Sequence, residues 1–265
     1  MTVFGIVVQE AQSPITSKVD EMLAWMTKSL DAKIERRDSM SYEALALDVK
    51  AGKVDVAWLP PIVYVRLAEA VVPMGSFLRG GRAAYEAALV VPKDSRIKSI
   101  EALRGSRAGW VDPWSAAGFV LPRVKLALLG IDPRTVFRTE KFHGSHRAAL
   151  QALVDGACDV VGTYARADDK GEITAGAWSE IEGAEVRVLA TFGAIPPDVL
   201  AARKDLPEDA RKRILEVLRA AMNEPAASGI LKSIFGGDTL HEGLASGYDA
   251  LKSALEMATA RGLFD

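Results

Sequence analysis

The chain has 265 residues, 49% of them hydrophobic and 26% charged, with a net charge of −2 at pH 7. That length buries ample core in one large domain or two small ones, and the near-neutral balance removes a global basic footprint for nucleic acid or an anionic membrane. The single cysteine, Cys158, excludes an intramolecular disulfide and a cysteine-rich metal site, and no stretch approaches the roughly 18 consecutive apolar residues of a membrane span.

The run Val3, Phe4, Gly5, Ile6, Val7 and Val8 predicts a buried strand over 3–8, with 9–16 the loop at its carboxyl end. Met1 leads into that run with no basic region and no small-residue cleavage site. The expectation is a cytoplasmic protein, or a periplasmic or otherwise extracytoplasmic one if a leader has been removed. Ser17 is placed to cap a helix to residue 30 with Val19, Met22, Leu23, Met26 and Leu30 on one face. A second strand is expected over 33–37, a helix over 42–51 ended by Gly52, and a strand over 54–59 that Pro60 and Pro61 stop before a short helix through Leu67. Further strands are predicted over 85–91, 107–111, 137–140, 158–162 and 184–191, and further helices over 116–129, 146–154, 207–222, 228–235 and 245–260. This alternation predicts an α/β protein with mainly parallel sheets.

Between the strand at 107–111 and the helix from 116 lies Asp112-Pro113-Trp114-Ser115-Ala116-Ala117-Gly118. Asp112-Pro113 turns the backbone, Ser115 is a fit N-cap, and the small residues after it leave the first helical N–H groups uncovered. Free donors at the positive end of a helix dipole make an anion site, although an ordinary capped turn between strand and helix uses the same residues.

Residues 42–56 and 146–160 align without a gap: Ala44 on Ala148, Gly52 on Gly156, Asp55 on Asp159 and Val56 on Val160, with Tyr42 opposite His146. Helix-Gly-strand turns are common enough to match by convergence. If the match is structural, the chain holds two similar α/β lobes, and Tyr42 faces His146 across a cleft of the kind that binds small ligands. Asp55 and Asp159, at matched strand starts, are expected to hold loop or helix amides and not to act as acid or base.

His143, His146 and His241 include no pair at the helical spacing of a zinc protease, and no nucleophile elbow, Walker A loop or dinucleotide fingerprint occurs. No catalytic residue, metal or cofactor is therefore expected. Gly80-Gly81, between Arg79 and Arg82, reads as a solvated loop before it reads as an anion contact.

Six motifs stand in order along the chain: Gly5-Ile6-Val7-Val8-Gln9-Glu10 with Ser13-Pro14; Tyr42 followed by 52–58; Lys93-Asp94-Ser95-Arg96-Ile97 with Leu103-Arg104-Gly105; Val111-Asp112-Pro113 through Gly118 and Pro122; Gly144-Ser145-His146 with Gly156 and Asp159; and Ile195-Pro196-Pro197-Asp198. In that set and order the chain resembles the substrate-binding proteins of phosphate, phosphite and phosphonate ABC transporters, the phosphonate-binding-like branch of type II periplasmic binding proteins. The resemblance implies two α/β lobes with a ligand cleft between them, 1–88 plus 191–265 and 89–190, joined by two crossing segments that act as hinges. It implies a non-catalytic solute-binding protein whose partners are a small anionic ligand and an ABC permease, with no nucleic acid and no direct membrane insertion.

In such proteins the ligand's oxyanion sits on a Ser-Thr-Ser-Gly turn at a helix N-terminus, helped by tyrosines and a histidine. Carried over by position, the turn is Ser115, Ala116, Ala117 and Gly118, the tyrosines are Tyr42 and Tyr85, and the histidine is His146. Trp114, with Trp58, Tyr64 and Tyr164 near the same rims, suggests a partly aromatic pocket, and core or rim packing serves those aromatics equally well. Two of the three hydroxyl positions are alanine, and each hydroxyl-to-oxyanion bond lost removes about 1.5–3 kcal/mol. Poor affinity for inorganic phosphate and simple alkylphosphonates is therefore expected, with a carboxylate or an ester-linked phosphate favoured instead. The same fold also hosts cytoplasmic enzymes, such as those of the futalosine route to menaquinone; such an enzyme and a cytoplasmic metabolite-sensing domain are the alternatives.

Overall fold

The computed structural model describes residues 1–8, 14–82 and 84–264. Its strands are β1 (Thr2–Val7), β2 (Ile34–Ser39), β3 (Val56–Leu59), β4 (Val71–Leu78), β5 (Tyr85–Pro92), β6 (Arg107–Trp110), β7 (Thr139–Phe142), β8 (Val160–Ala167), β9 (Ile173–Gly176), β10 (Val186–Ile195), β11 (Val199–Arg203) and β12 (Thr239–Glu242). Its α-helices are α1 (Pro14–Leu30), α2 (Tyr42–Lys50), α3 (Pro61–Leu67), α4 (Leu121–Leu128), α5 (His146–Val154), α6 (Glu208–Met222), α7 (Pro225–Phe235) and α8 (Tyr248–Ala260). The chain divides into two compact units, Met1–Ala83 with Pro196–Tyr248, and Ala84–Ile195 with Asp249–Asp265.

The first unit carries a sheet in the order β12-β4-β11-β3-β1-β2, with β1 parallel to both β2 and β3 and β11 antiparallel to β3 and β4. The second carries the order β10-β5-β8-β6-β7, with β6 parallel to β7 and β8, β5 antiparallel to β8 and β10, and β9 paired to β8. The sheets are thus mixed, not mainly parallel. Sequence alternation reveals only the βα repeats that give the parallel triplets; the opposing strands β5 and β11 follow the points where the chain passes from one unit to the other.

The two parallel triplets are built alike. Phe4 and Gly5 pair with Val56 and Ala57 in the first, and Ala108 and Gly109 pair with Val160 and Val161 in the second. Ser41 caps α2 by accepting from Ala44 N, and Ser145 caps α5 by accepting from Ala148 N. Gly52 and Gly156 close the two helices at the same positive φ of 70°, where a side chain is strained. The gapless match between 42–56 and 146–160 is therefore structural.

In the first unit the apolar face of α1 is buried as its spacing predicts: Val19, Met22, Leu23, Met26 and Leu30 lie with Phe4, Ile6 and the aromatic group Trp58, Phe77 and Phe235. Each such side chain, fully buried, contributes about 1.5–3 kcal/mol. The helix begins at Pro14, not at Ser17, because proline's fixed φ suits a first helical position, so 14–16 of the loop expected over 9–16 are helical; its residues 9–13, with Gln9, Glu10 and Ser13, lie outside the described residues. β4 was not expected, since Pro73 and Gly75 read as breakers. The β11 register shifts there, between Leu200 opposite Gly75 and Ala201 opposite Pro73, and an irregular ladder tolerates a proline.

In the second unit Trp110 is fully buried and donates from Nε1 to Glu140 Oε2 at 2.7 Å. The same carboxylate accepts from the buried Arg123, whose Nε donates to Leu263 O at 2.7 Å. Phe264 also packs on Phe119, with ring centroids 5.8 Å apart. These bonds hold the tail from Asp249 onward in the second unit, whereas the sequence groups 191–265 together.

Candidate functional site

β6 runs into the turn anticipated from sequence, and the turn is locked by its own side chains. Asp112 Oδ1 accepts from Trp114 N at 2.8 Å, and Asp112 O accepts from Ser115 N at 2.9 Å. Ser115 Oγ accepts from Gly118 N at 3.0 Å, which makes it the N-cap. Ser115 O receives Val120 N at 2.9 Å, so the first turn, Ala116–Val120, is wound as a π-helix before α4 begins. A Cβ on Gly118 would stand 2.3 Å from Val111 Cγ2, and this contact requires glycine.

The turn's amides are not equivalent. Gly118 N–H is taken by the Ser115 cap, so it is not free for an anion as expected. Ala116 and Ala117 are 3% and 2% exposed, and among the described residues their N–H groups donate to no protein acceptor. Buried unpaired amides are rare, and donors left open at a helix start have the chemistry that suits an anion. Ser115, itself buried, keeps its hydroxyl proton for a ligand while the oxygen serves the cap.

A second cluster forms beside it. His146 is the first residue of α5, and its Nδ1 lies 2.9 Å from Oγ1 of the buried Thr163 on β8. Its ring meets that of Tyr164 edge-on at 5.0 Å, and Tyr164 in turn meets Tyr85 at 6.3 Å. Burial, with Arg166 nearby, pushes the His146 pKa down to about 4, so the imidazole is neutral at pH 7 and both donates and accepts. Gly162 joins cluster to turn: a Cβ there would be 3.0 Å from Gly118 O and 2.8 Å from the Trp110 ring. The turn follows β6, His146 follows β7, and Tyr164 lies in the last half of β8. All sit at the carboxyl ends of one parallel triplet, the usual ligand edge of such sheets.

Tyr42 occupies the matching first position of α2 in the other unit, and Trp114 is half-buried next to the turn. Trp58 and Tyr64 belong to the core: Trp58 meets Phe235 at a tilt with ring centroids 4.5 Å apart, and Tyr64 meets Tyr248 at 4.8 Å. The Gly80-Gly81 turn is structural, since Arg79 Nε donates to Gly236 O and Gly80 N to Asp238 Oδ1. An apolar void lined by Phe4, Met22, Met26, Leu200, Leu218 and Phe235 offers an anion nothing. The Cys158 thiol is buried and pushed up to about 11, which leaves it unreactive. Sequence reasoning marks Asp198 only as part of the Ile195-Pro196-Pro197-Asp198 motif; the structure adds that burial at this turn ahead of β11 raises its carboxyl to about 7.

Solved structures share this architecture. PhnD1 from Prochlorococcus marinus, in complex with methylphosphonate, superposes with a TM-score of 0.80 over 97% of this chain and 98% of that one, at 15% identity. The fold is that of a type II periplasmic binding protein. A family model for the periplasmic substrate-binding proteins of phosphonate ABC transporters matches residues 4–248, and the chain belongs to that family, as its motifs imply. The phosphonates-binding periplasmic protein of Escherichia coli is 25% identical over 87% of this chain and 69% of its own length. The phosphate-import protein PhnD of Mycolicibacterium smegmatis is 23% identical over 74% of this chain and 64% of its own length, so the match spans under two thirds of that relative. These relatives are named for binding and import, not for catalysis, and the enzyme and sensor alternatives gain no support from them.

Proposed function

We propose that the chain is the solute-binding component of an ABC-type transporter, working outside the cytoplasm with a permease, and that it takes a small anionic ligand. The observation that carries this reading is the pair of unpaired, buried N–H groups of Ala116 and Ala117, set beside the Ser115 hydroxyl and a neutral His146. The ligand's anion accepts from those donors, and Trp114, Tyr85 and His146 border it; Tyr42 holds the matching helix start within the first unit. Among the described residues no helix is long and apolar enough to cross a membrane.

Two missing hydroxyls weaken the turn toward a free phosphate or a simple alkylphosphonate. The preferred ligand is therefore a carboxylate or an ester-linked phosphate. A thermal-shift screen of small metabolites tests the proposal, because a ligand that binds only the folded state raises apparent stability. Anionic compounds raise the midpoint and neutral analogues of the same size do not. Turnover of any hit, dependent on one of these side chains, would overturn it.

A further inference from the structure

Arg166 stands apart from the other arginines of its unit. Arg107 is paired with Asp159, Arg123 with Glu140, and Arg187 with the backbone carbonyls of Ser95 and Ile97. These and Arg166 are the buried or half-buried arginines of the unit, and of the four only the Arg166 side chain has neither a hydrogen bond nor an ion pair among the described residues. Its guanidinium instead lies 4.6 Å over the ring of Tyr164, the residue that touches both His146 and Tyr85. Residues two apart on a strand share a face, so Tyr164 and Arg166 present together at the carboxyl end of β8. The pairing with β9 shifts register immediately after Arg166, and such a bulge re-aims the side chain beside it.

A half-buried cation without a partner is costly. Stacking fixes the guanidinium plane, and its planar fork of donors matches a carboxylate bidentately, where a rounder ammonium or an alkyl group gains nothing. The geometry points to Arg166 as a specificity-determining residue that receives a carboxylate at the far end of the ligand, making the ligand a small molecule with two anionic groups: one held by the Ser115 turn and a carboxylate held by Arg166. This rests on the proposed binding function and adds the chemistry of the ligand's second end.

Three probes that share a phosphonate and differ in the tail separate the possibilities: 3-phosphonopropionate, propylphosphonate and 2-aminoethylphosphonate, each titrated calorimetrically at up to millimolar concentration. The unmodified protein binds the carboxylate probe about tenfold or more tighter than the other two. Arg166→Gln levels the three, and Arg166→Glu favours the ammonium probe. If the unmodified protein binds all three alike, or prefers the ammonium, or keeps its carboxylate preference in Arg166→Gln, the assignment of Arg166 fails while the binding function stands. If none of the three binds, either to the unmodified protein or to the Ala116→Thr, Ala117→Ser variant, the reading of the turn falls and the Arg166 assignment falls with it.

Discussion

Asp55 and Asp159 make the same bond in the two units: each accepts at 2.8 Å, through Oδ2, the backbone N–H of a residue 52 positions earlier, Val3 and Arg107. Each carboxylate therefore ties the start of a central parallel strand, β1 or β6, to the start of its neighbour, and each also meets an arginine, Arg203 or Arg107. The role is structural, as the matched strand starts imply.

Asp159→Asn is expected to cost about 1–3 kcal/mol at pH 7, toward the low end because both partners are about one third exposed. The guanidinium of Arg107 holds the Asp159 carboxyl below its ordinary range. A depressed carboxyl pKa contributes stability above the unfolded value and loses it as pH falls through the folded one. Urea unfolding at pH 7 and at pH 3 checks this, with the difference between variant and unmodified protein shrinking at the lower pH.

Gly118→Ala places a methyl 2.3 Å from Val111 Cγ2 and 2.8 Å from Ser115 Oγ, disturbing the cap and the strand together. A loss of about 1–3 kcal/mol is expected from overpacking, against about 1 kcal/mol for the lost cap in Ser115→Ala. Thermal unfolding of the two variants should rank Gly118→Ala as the less stable.

Burial keeps His146 neutral, with its folded pKa near 4 against an ordinary 6.5. Between those values the unfolded chain binds a proton that the folded chain does not, so this residue's contribution to stability falls as pH drops from 6.5 toward 4. Imidazole NMR should show His146 uncharged at pH 5.5, and Arg166→Gln should raise its pKa, because the nearby guanidinium adds to the effect of burial.

Much of this was legible because local rules and tertiary packing agree. The helices α2 and α5 announce themselves by a serine cap, an apolar stripe and a closing glycine, and the turn after β6 by Asp-Pro, a serine and small residues. The strand β4 did not, because Pro73 and Gly75 hide it; the glycine is there to let the His241 carbonyl approach, at 2.7 Å from where a Cβ would stand. Trp58 and Tyr64 read equally as rim and as core, and only packing decides for the core. The contact of Tyr164 with His146 joins strand and helix positions that no sequence spacing relates.

Restoring the two hydroxyls with Ala116→Thr and Ala117→Ser is expected to strengthen binding of methylphosphonate and phosphate by about tenfold or more, at about 1.5–3 kcal/mol per new bond to a charged oxygen. Both positions are nearly closed to solvent, so the melting temperature of the variant is measured alongside. Calorimetry showing no gain in a folded variant would remove this turn as the anion site.

The most direct test of the central claim is an amide NMR titration of the unmodified protein with methylphosphonate and 3-phosphonopropionate, following Ala116 and Ala117. An oxyanion on the turn accepts from both N–H groups, so their proton resonances move downfield and saturate at the midpoint that calorimetry gives for the same compound. Binding heat with both resonances unmoved, or neither heat nor movement with any small oxyanion, would contradict the account.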